Sequence, residues 1–255
     1  MLERKQKLTA FDLAIFKDTP VWAVAQAVDF EDTRQINKLL EDASDSIIDY
    51  REPYFSMTLL HWAVFNRRYN ACEMLLEMGA DPNIRIYNGE TALVEAAGIR
   101  ETSDYLRLLL QHGGEVNTLV DTTANRSLKT PLFAAAGSRL ESVKILVEAG
   151  ADIDYRPHQM HSVWLYASIK DRIDIMSYLI IEKCASFDGP AGINSDGDTL
   201  HIENRLRFMA FELDSPEYKM KMQLVDFLEE RGVDYRNAPI PYLLRNRDPE
   251  YLRRY

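Results

Sequence analysis

Thr130-Pro131-Leu132-Phe133-Ala134-Ala135, with Gly150-Ala151-Asp152 downstream of it, decides how this chain is read. Between these landmarks, Ser142-Val143-Lys144-Ile145-Leu146-Val147-Glu148 places apolar residues at helical spacing and leaves one polar stripe. The glycine after it suits a left-handed residue that ends a helix. The small side chains of Ala134, Ala135 and Ala136 let a first helix sit close against its neighbour. One such helix pair cannot bury its own apolar face, but several stacked pairs can.

The stretch recurs at near-regular intervals. Upstream stand Thr58-Leu59-Leu60-His61-Trp62-Ala63 and Thr91-Ala92-Leu93-Val94-Glu95-Ala96-Ala97. Downstream come Ser162-Val163-Trp164-Leu165-Tyr166-Ala167 and a weaker copy, Thr199-Leu200-His201. Thr19-Pro20-Val21-Trp22-Ala23 stands at the same interval ahead of Thr58 as Thr91 does ahead of Thr130. Gly79-Ala80-Asp81, Gly113-Gly114-Glu115, Gly150-Ala151-Asp152 and Gly232-Val233-Asp234 each close a Leu-rich segment. Two landmarks that share one period define a repeat.

These residues resemble the ankyrin repeat family over roughly residues 19–237. The resemblance implies an all-α fold: an α-solenoid of about six repeats, each a turn and two antiparallel helices. Turn or β-hairpin loops join the repeats, and divergent caps end them. It is expected to form a single domain over 1–255, with an N-terminal cap and first repeat in 1–57 and central repeats in 58–193. A divergent last repeat in 194–237 and a C-terminal tail in 238–255 complete it.

The departures carry information of their own. The first unit lacks the Gly-Ala-Asp closure, as expected of a cap whose outer face meets water. The third unit carries a one-residue insertion in its first helix relative to the second. Thr118 to Lys129 reads as an extended surface loop. The fifth unit closes with Lys183-Cys184-Ala185 in place of glycine, and Cys72 and Cys184 are both expected as buried free thiols. In the sixth unit Glu203 stands where alanine is expected, and an insertion separates the helices. Ser215-Pro216 then starts a last helix that ends at Gly232. Tyr242-Leu243-Leu244 is expected to pack against the last repeat, in a proline-interrupted tail made basic by Arg245, Arg247, Arg253 and Arg254.

A net charge of −10 argues against a nucleic-acid binder, which needs a basic face, and favours a basic protein partner. Two cysteines cannot build a disulfide framework or a four-thiolate metal site. No apolar run approaches ~18 residues, so no membrane insertion is expected. Met1 to Lys7 is charged and leads into no apolar signal core, so the expected location is cytoplasmic. A trimmed signal peptide would make it periplasmic or secreted.

Catalytic motifs are missing: there is no phosphate loop, no Gly-x-Ser-x-Gly elbow and no His-Glu-x-x-His. No catalytic residue, metal or cofactor is therefore expected. His61 occupies the histidine position of the ankyrin motif, where its ring ties neighbouring turns by hydrogen bonds. Asn194, Asp196, Gly197 and Asp198 make a β-turn more readily than a calcium loop, because the glycine comes too early.

The chain is expected to be a monomeric, non-enzymatic scaffold that binds another protein through its concave face and turn tips. In ankyrin-like units, the residues before the Thr-Pro-Leu stretch and the end of the first helix face partners. That implication marks Tyr54, Phe55, Met57, Phe65, Asn66, Arg67, Arg85, Tyr87, Asn88, Glu90, Arg156, His158, Gln159, His161, Ile169 and Lys170. The set is rich in aromatic residues and arginine, the types enriched at binding hot spots. A sharper alternative follows from resemblance to stand-alone bacterial ankyrin proteins, some of which neutralise a cognate toxin. A reading from a different class makes the sixth unit a metal site or enzyme using Asp196, Asp198, His201 and Glu203.

Overall fold

Thr58, Thr130 and Ser162 hold extended backbone at the head of a short helix. Each side-chain oxygen accepts the main-chain N–H three residues on, from His61, Phe133 and Leu165, at 3.2–3.3 Å. Each such cap satisfies one of the N–H groups that a helix start leaves open and contributes about 1 kcal/mol. The computed structural model describes residues 8–42, 47–119, 130–156, 162–193, 197–244 and 246–254. Its chain forms two units, Met1–Ala151 and Asp152–Tyr255.

In the first unit a 3-10 turn, Leu13–Phe16, precedes four helix pairs. These are α1 (Trp22–Asp29) with α2 (Thr33–Glu41), α3 (Leu59–Phe65) with α4 (Tyr69–Glu77), α5 (Ala92–Gly98) with α6 (Asp104–Gln111), and α7 (Pro131–Ala136) with α8 (Leu140–Glu148). Helices pack within each pair, and α1, α3, α5 and α7 pack side by side in that order. Leu59, Leu60, Trp62, Leu93 and Leu132 fill the space between them. Ala63, Ala96, Ala97, Ala135 and Ala136, all buried, allow the close approach. Cys72 is buried on α4, and burial pushes its thiol up to about 12.

The second unit begins with α9 (Val163–Ile169) and α10 (Ile173–Ser177), which continues as a π turn over Tyr178–Glu182. A short hairpin pairs β1 (Gly192–Ile193) with β2 (Thr199–Leu200), antiparallel. Next come α11 (Ile202–Phe208) and α12 (Pro216–Glu229), where Ser215 Oγ accepts the Tyr218 N–H at 3.0 Å, as the Ser-Pro start predicts. A 3-10 turn (Tyr242–Leu244) and α13 (Pro249–Arg254) end the chain. Leu244 packs with Leu213, Ile240, Tyr251 and Leu252, but Tyr242 is 72% exposed, contrary to the expectation that it packs inward.

Neighbouring repeats are tied by side chains that reach main-chain groups of the following repeat. Asp49 accepts the Asp81 N–H at 3.0 Å. Asn83 donates to the Gly113 carbonyl at 3.0 Å and accepts from the Glu115 N–H at 2.8 Å. Asn117 donates to the Gly150 carbonyl at 3.0 Å. In parallel, Arg51 donates to the Arg85 carbonyl at 2.7 Å, and Arg85 to the Leu119 carbonyl at 2.8 Å. The second unit repeats the device: Asp154 accepts the Ser186 N–H at 2.7 Å, and Arg156 donates to the Ser186 carbonyl at 3.1 Å.

The third repeat differs from the second in a way the sequence misplaces. Its first helix has the same 7 residues as α3; the extra residues lie in the turn to α6, which runs over 99–103 against 66–68. The fifth closure is also corrected. Cys184 is exposed, and its φ of +56° repeats the +91° of Gly150, so it holds the left-handed position without being glycine. A side chain there costs on the order of 1 kcal/mol.

His61 is buried, and its Nδ1 lies 3.0 Å from Thr58 Oγ1. Burial pushes its pKa down to about 4, against the pull of the Glu90 backbone in the next turn. The folded chain thus keeps the ring neutral at a pH where the unfolded chain protonates it.

Stability measurements can check both positions. Gly150→Ala lowers stability by about 1 kcal/mol in urea unfolding, while Cys184→Gly leaves it equal or higher. Because protons bind the unfolded state first, His61 makes stability fall as pH drops from 6.5 towards about 4. Across that window the loss reaches about 3 kcal/mol. His61→Gln flattens the slope by that amount, and parallel slopes in the two proteins would contradict it.

Candidate protein-interaction surface

Two neighbouring turns of the first unit each carry an exposed tyrosine, Tyr54 and Tyr87. The turn after Pro53 is shaped by Glu52, which is 1% exposed. Its carboxylate accepts the N–H groups of Tyr54, Phe55 and Met57 at 2.6–2.9 Å. With Ser56 left-handed at φ +57°, the turn folds over its own acid and leaves Tyr54 61% exposed. The next turn is a hairpin tip: the Ile86 N–H donates to the Glu90 carbonyl and the Gly89 N–H to the Ile86 carbonyl. The Tyr87 N–H crosses to the Phe55 carbonyl at 2.9 Å, which locks the two tips together. Their rings meet with centroids 5.7 Å apart, and Tyr87 stays 66% exposed.

Behind these tips lies a hollow of about 120 Å³, lined by Met57, His61, Phe65, Tyr87, Glu90 and Glu95 among others. Its other rim is aromatic too. Phe11 stacks on Phe65 with centroids 4.5 Å apart and remains 64% exposed. Two carboxylates face this apolar space. Burial raises the Glu95 pKa, and Arg67, 3.4 Å away, pulls it back. An apolar hollow with aromatic rims and carboxylates suits a side chain with an apolar stem and a positive end.

Of the residues marked from sequence, Tyr54, Phe55, Phe65, Tyr87, Asn88 and Glu90 are brought together here. Met57 is a correction. It is 3% exposed, drawn inward by the Glu52 turn, and forms part of the floor. Asn66 and Arg67 cap α3, with Asn66 Nδ2 donating to the Trp62 carbonyl and Arg67 Nη1 to those of Val64 and Phe65. Arg85 is exposed but tied to Leu119. Arg156, in the second unit, is half-buried against the turn at 186–189, so close to Gly189 that a Cβ there would meet its guanidinium. Ile169 is 54% exposed in the second unit, and the exposed Lys170 lies over the Tyr166 ring at 5.7 Å. His158, Gln159 and His161 lie outside the described residues.

Sequence reasoning missed Phe11, Glu52 and Glu95. Glu52 had a signal, an acid directly before a proline-opened turn. Phe11 and Glu95 had none, because their role depends on Phe65 and Arg67, which are distant from them in sequence.

At the sixth repeat, His201 and Glu203 line a groove of about 350 Å³ with Asp188 and Asp234. His201 is committed to the start of α11, where its N–H donates to Asn204 Oδ1 at 2.8 Å. Asp196 lies outside the described residues. Among the described residues no group of three His, Cys, Asp or Glu is placed to hold a metal ion, and no helix is long and apolar enough to cross a membrane.

Comparison with known proteins agrees with this geometry. The ankyrin repeat family matches residues 56–87 as one repeat and residues 84–157 as a run of repeats. The chain is 32% identical over 153 residues to Protein PhlB of Serratia liquefaciens, covering 60% of this chain and 63% of that protein. It is 27% identical over 173 residues to the Nuclear factor NF-kappa-B p105 subunit of Gallus gallus, covering 66% of this chain and 17% of that one. An ankyrin repeat protein of Rickettsia bellii is 33% identical over 129 residues, 48% of this chain and 35% of that protein. The chain thus spans less than two thirds of the length of each of these relatives. Ankyrin repeats are protein–protein interaction modules, and the matches agree with the stacked helix pairs described above: residues 56–157 of this chain are ankyrin repeats.

Proposed function

We propose that the chain is a non-enzymatic module that holds a basic partner protein on the aromatic face of its first unit. The observation that carries this reading is the convergence of Phe65 and Tyr87, with Phe11 and Phe55 packed against them, at one hollow that also contains Glu90 and Glu95. Monomeric proteins seldom leave that many large apolar side chains together in water without a use. Aromatic anchors lose little side-chain entropy when they dock, so they supply most of the affinity. The net charge of −10 steers a basic partner in and speeds encounter. A lysine or arginine entering the hollow would lay its stem on Phe65 and Tyr87 and set its charge against the carboxylates.

Rigidity underlies the mechanism. Glu52 fixes one tip, the Tyr87–Phe55 main-chain bond fixes the second to it, and little ordering remains to be done on binding. Glu52 therefore acts by positioning and touches no partner.

The test is affinity against a partner captured from the native source and then purified. Phe65→Ala with Tyr87→Ala lowers affinity about 100-fold or more, on the order of two hot-spot residues, while the thermal unfolding midpoint stays close to that of the parent. Glu52→Ala weakens binding too, but with a loss of stability of about 1–3 kcal/mol, because three N–H groups lose their acceptor. Raising salt slows association more than it speeds dissociation. Unchanged affinity in the double variant would place the binding face elsewhere.

A further inference from the structure

The end of the second unit builds a site of the opposite charge. A hollow of about 250 Å³ is lined by Arg207 from α11, Tyr235 and Arg236 after α12, and Leu252, Arg253 and Arg254 from α13. Met222 and Ile240 complete an apolar wall, and none of its described lining residues is acidic. In a chain of net charge −10, four arginines from three segments converge there.

Arg207 is the fixed base. It is 5% exposed, its guanidinium lies 4.2 Å from the centroid of the Tyr235 ring, and it donates to the carbonyls of Tyr235 and Arg236 at 2.9–3.2 Å. Lys221 is fully buried close by, with Nζ donating to the Met209 carbonyl at 3.2 Å. Burial pushes its pKa down to about 6, and the Arg207 charge pushes the same way. The Arg207 charge thus adds to burial in disfavouring a second cation beside it. The outer arginines are held from outside the hollow: Arg254 by Asp214 at 2.5 and 3.3 Å, and Arg236 by Glu229 at 3.1 Å. Each pairing leaves part of a five-donor fork unused. Arg253, exposed, makes one hydrogen bond among the described residues, Nε to the Pro249 carbonyl at 3.3 Å.

We propose that this hollow binds a phosphate monoester carried on a protein side chain. The phosphate oxygens are taken by Arg253, Arg236 and Arg254, and the stem lies on Leu252, Ile240 and Met222. Guanidinium forks match phosphate oxygens in pairs, and a monoester near pH 7 carries close to two charges. A free phosphate would leave the apolar wall wet. A lipid surface needs a broad basic face, whereas Asp214, Asp226 and Glu229 ring this site with carboxylates.

The experiment titrates the full chain with phenyl phosphate, inorganic phosphate and benzoate, by calorimetry and amide chemical shifts. Phenyl phosphate is expected to bind best and to weaken as salt rises. Arg253→Ala lowers its affinity about tenfold, Arg253→Lys by less, and Asp214→Asn raises it by freeing Arg254. Arg253 is exposed with a single local bond, so its replacement leaves the fold intact. Absence of saturable binding, or binding indifferent to Arg253→Ala, overturns the site. Equal affinity for inorganic phosphate overturns the stem. Sedimentation with phosphatidate vesicles, lost in Arg253→Ala, overturns the protein-borne source.

Discussion

Side chains that reach across to the main chain of the next repeat set the terms for everything else in this protein. A helix pair of 7 and 9 residues, such as α3 with α4, is too short to be stable alone. It persists because its apolar face is buried by neighbours and because its loops are fastened to theirs. Asn83 serves both donor and acceptor groups of the following loop, and Asn117 repeats the donation one repeat later. Each bond contributes only about 1 kcal/mol net, but each joins segments whose ordering would otherwise cost entropy separately.

That fastening explains why the turns that carry the proposed binding face are stiff. Arg51 and Arg85 run a second line of bonds beside the first, just under the aromatic tips. With the loop bases fixed, a small addition suffices to shape each tip: one buried carboxylate at Glu52, and one main-chain bond from Tyr87. The second unit uses the same means for a different end. There Arg156 ties its turn to the next one at Ser186, while the arginines of the last helix line a hollow of their own.

What could be read from the sequence follows from range. Caps and closures are local: Thr58, Thr130, Ser162 and Ser215 each act on a residue three positions away, and the closing glycines answer to their own φ. Local spacing is therefore enough to find them. The fate of an exposed-looking side chain depends on what the next repeat places beside it, and there periodicity misleads. Arg85 and Arg156 have the composition of a binding face and serve as ties. Met57 sits in the partner-facing register and is turned inward by the acid at Glu52. Phe11 precedes the first repeat altogether, so no repeat position could mark it.

The π turn at Tyr178–Glu182 has a consequence for how the chain has changed length. The helix of α10 and this turn runs without a break from Ile173 to Glu182, one residue longer than α4. In an unbroken α-helix one added residue would rotate everything after it by about 100° and turn the apolar stripe away from its neighbour. A π turn takes the extra residue as a local widening, seen where the Lys183 N–H reaches back to the Tyr178 carbonyl. The angular phase is kept, and Ala185 is buried as Ala80 and Ala151 are. The bulge absorbs the extra residue inside the helix, and the packing of α10 on α9 and α12 keeps its phase.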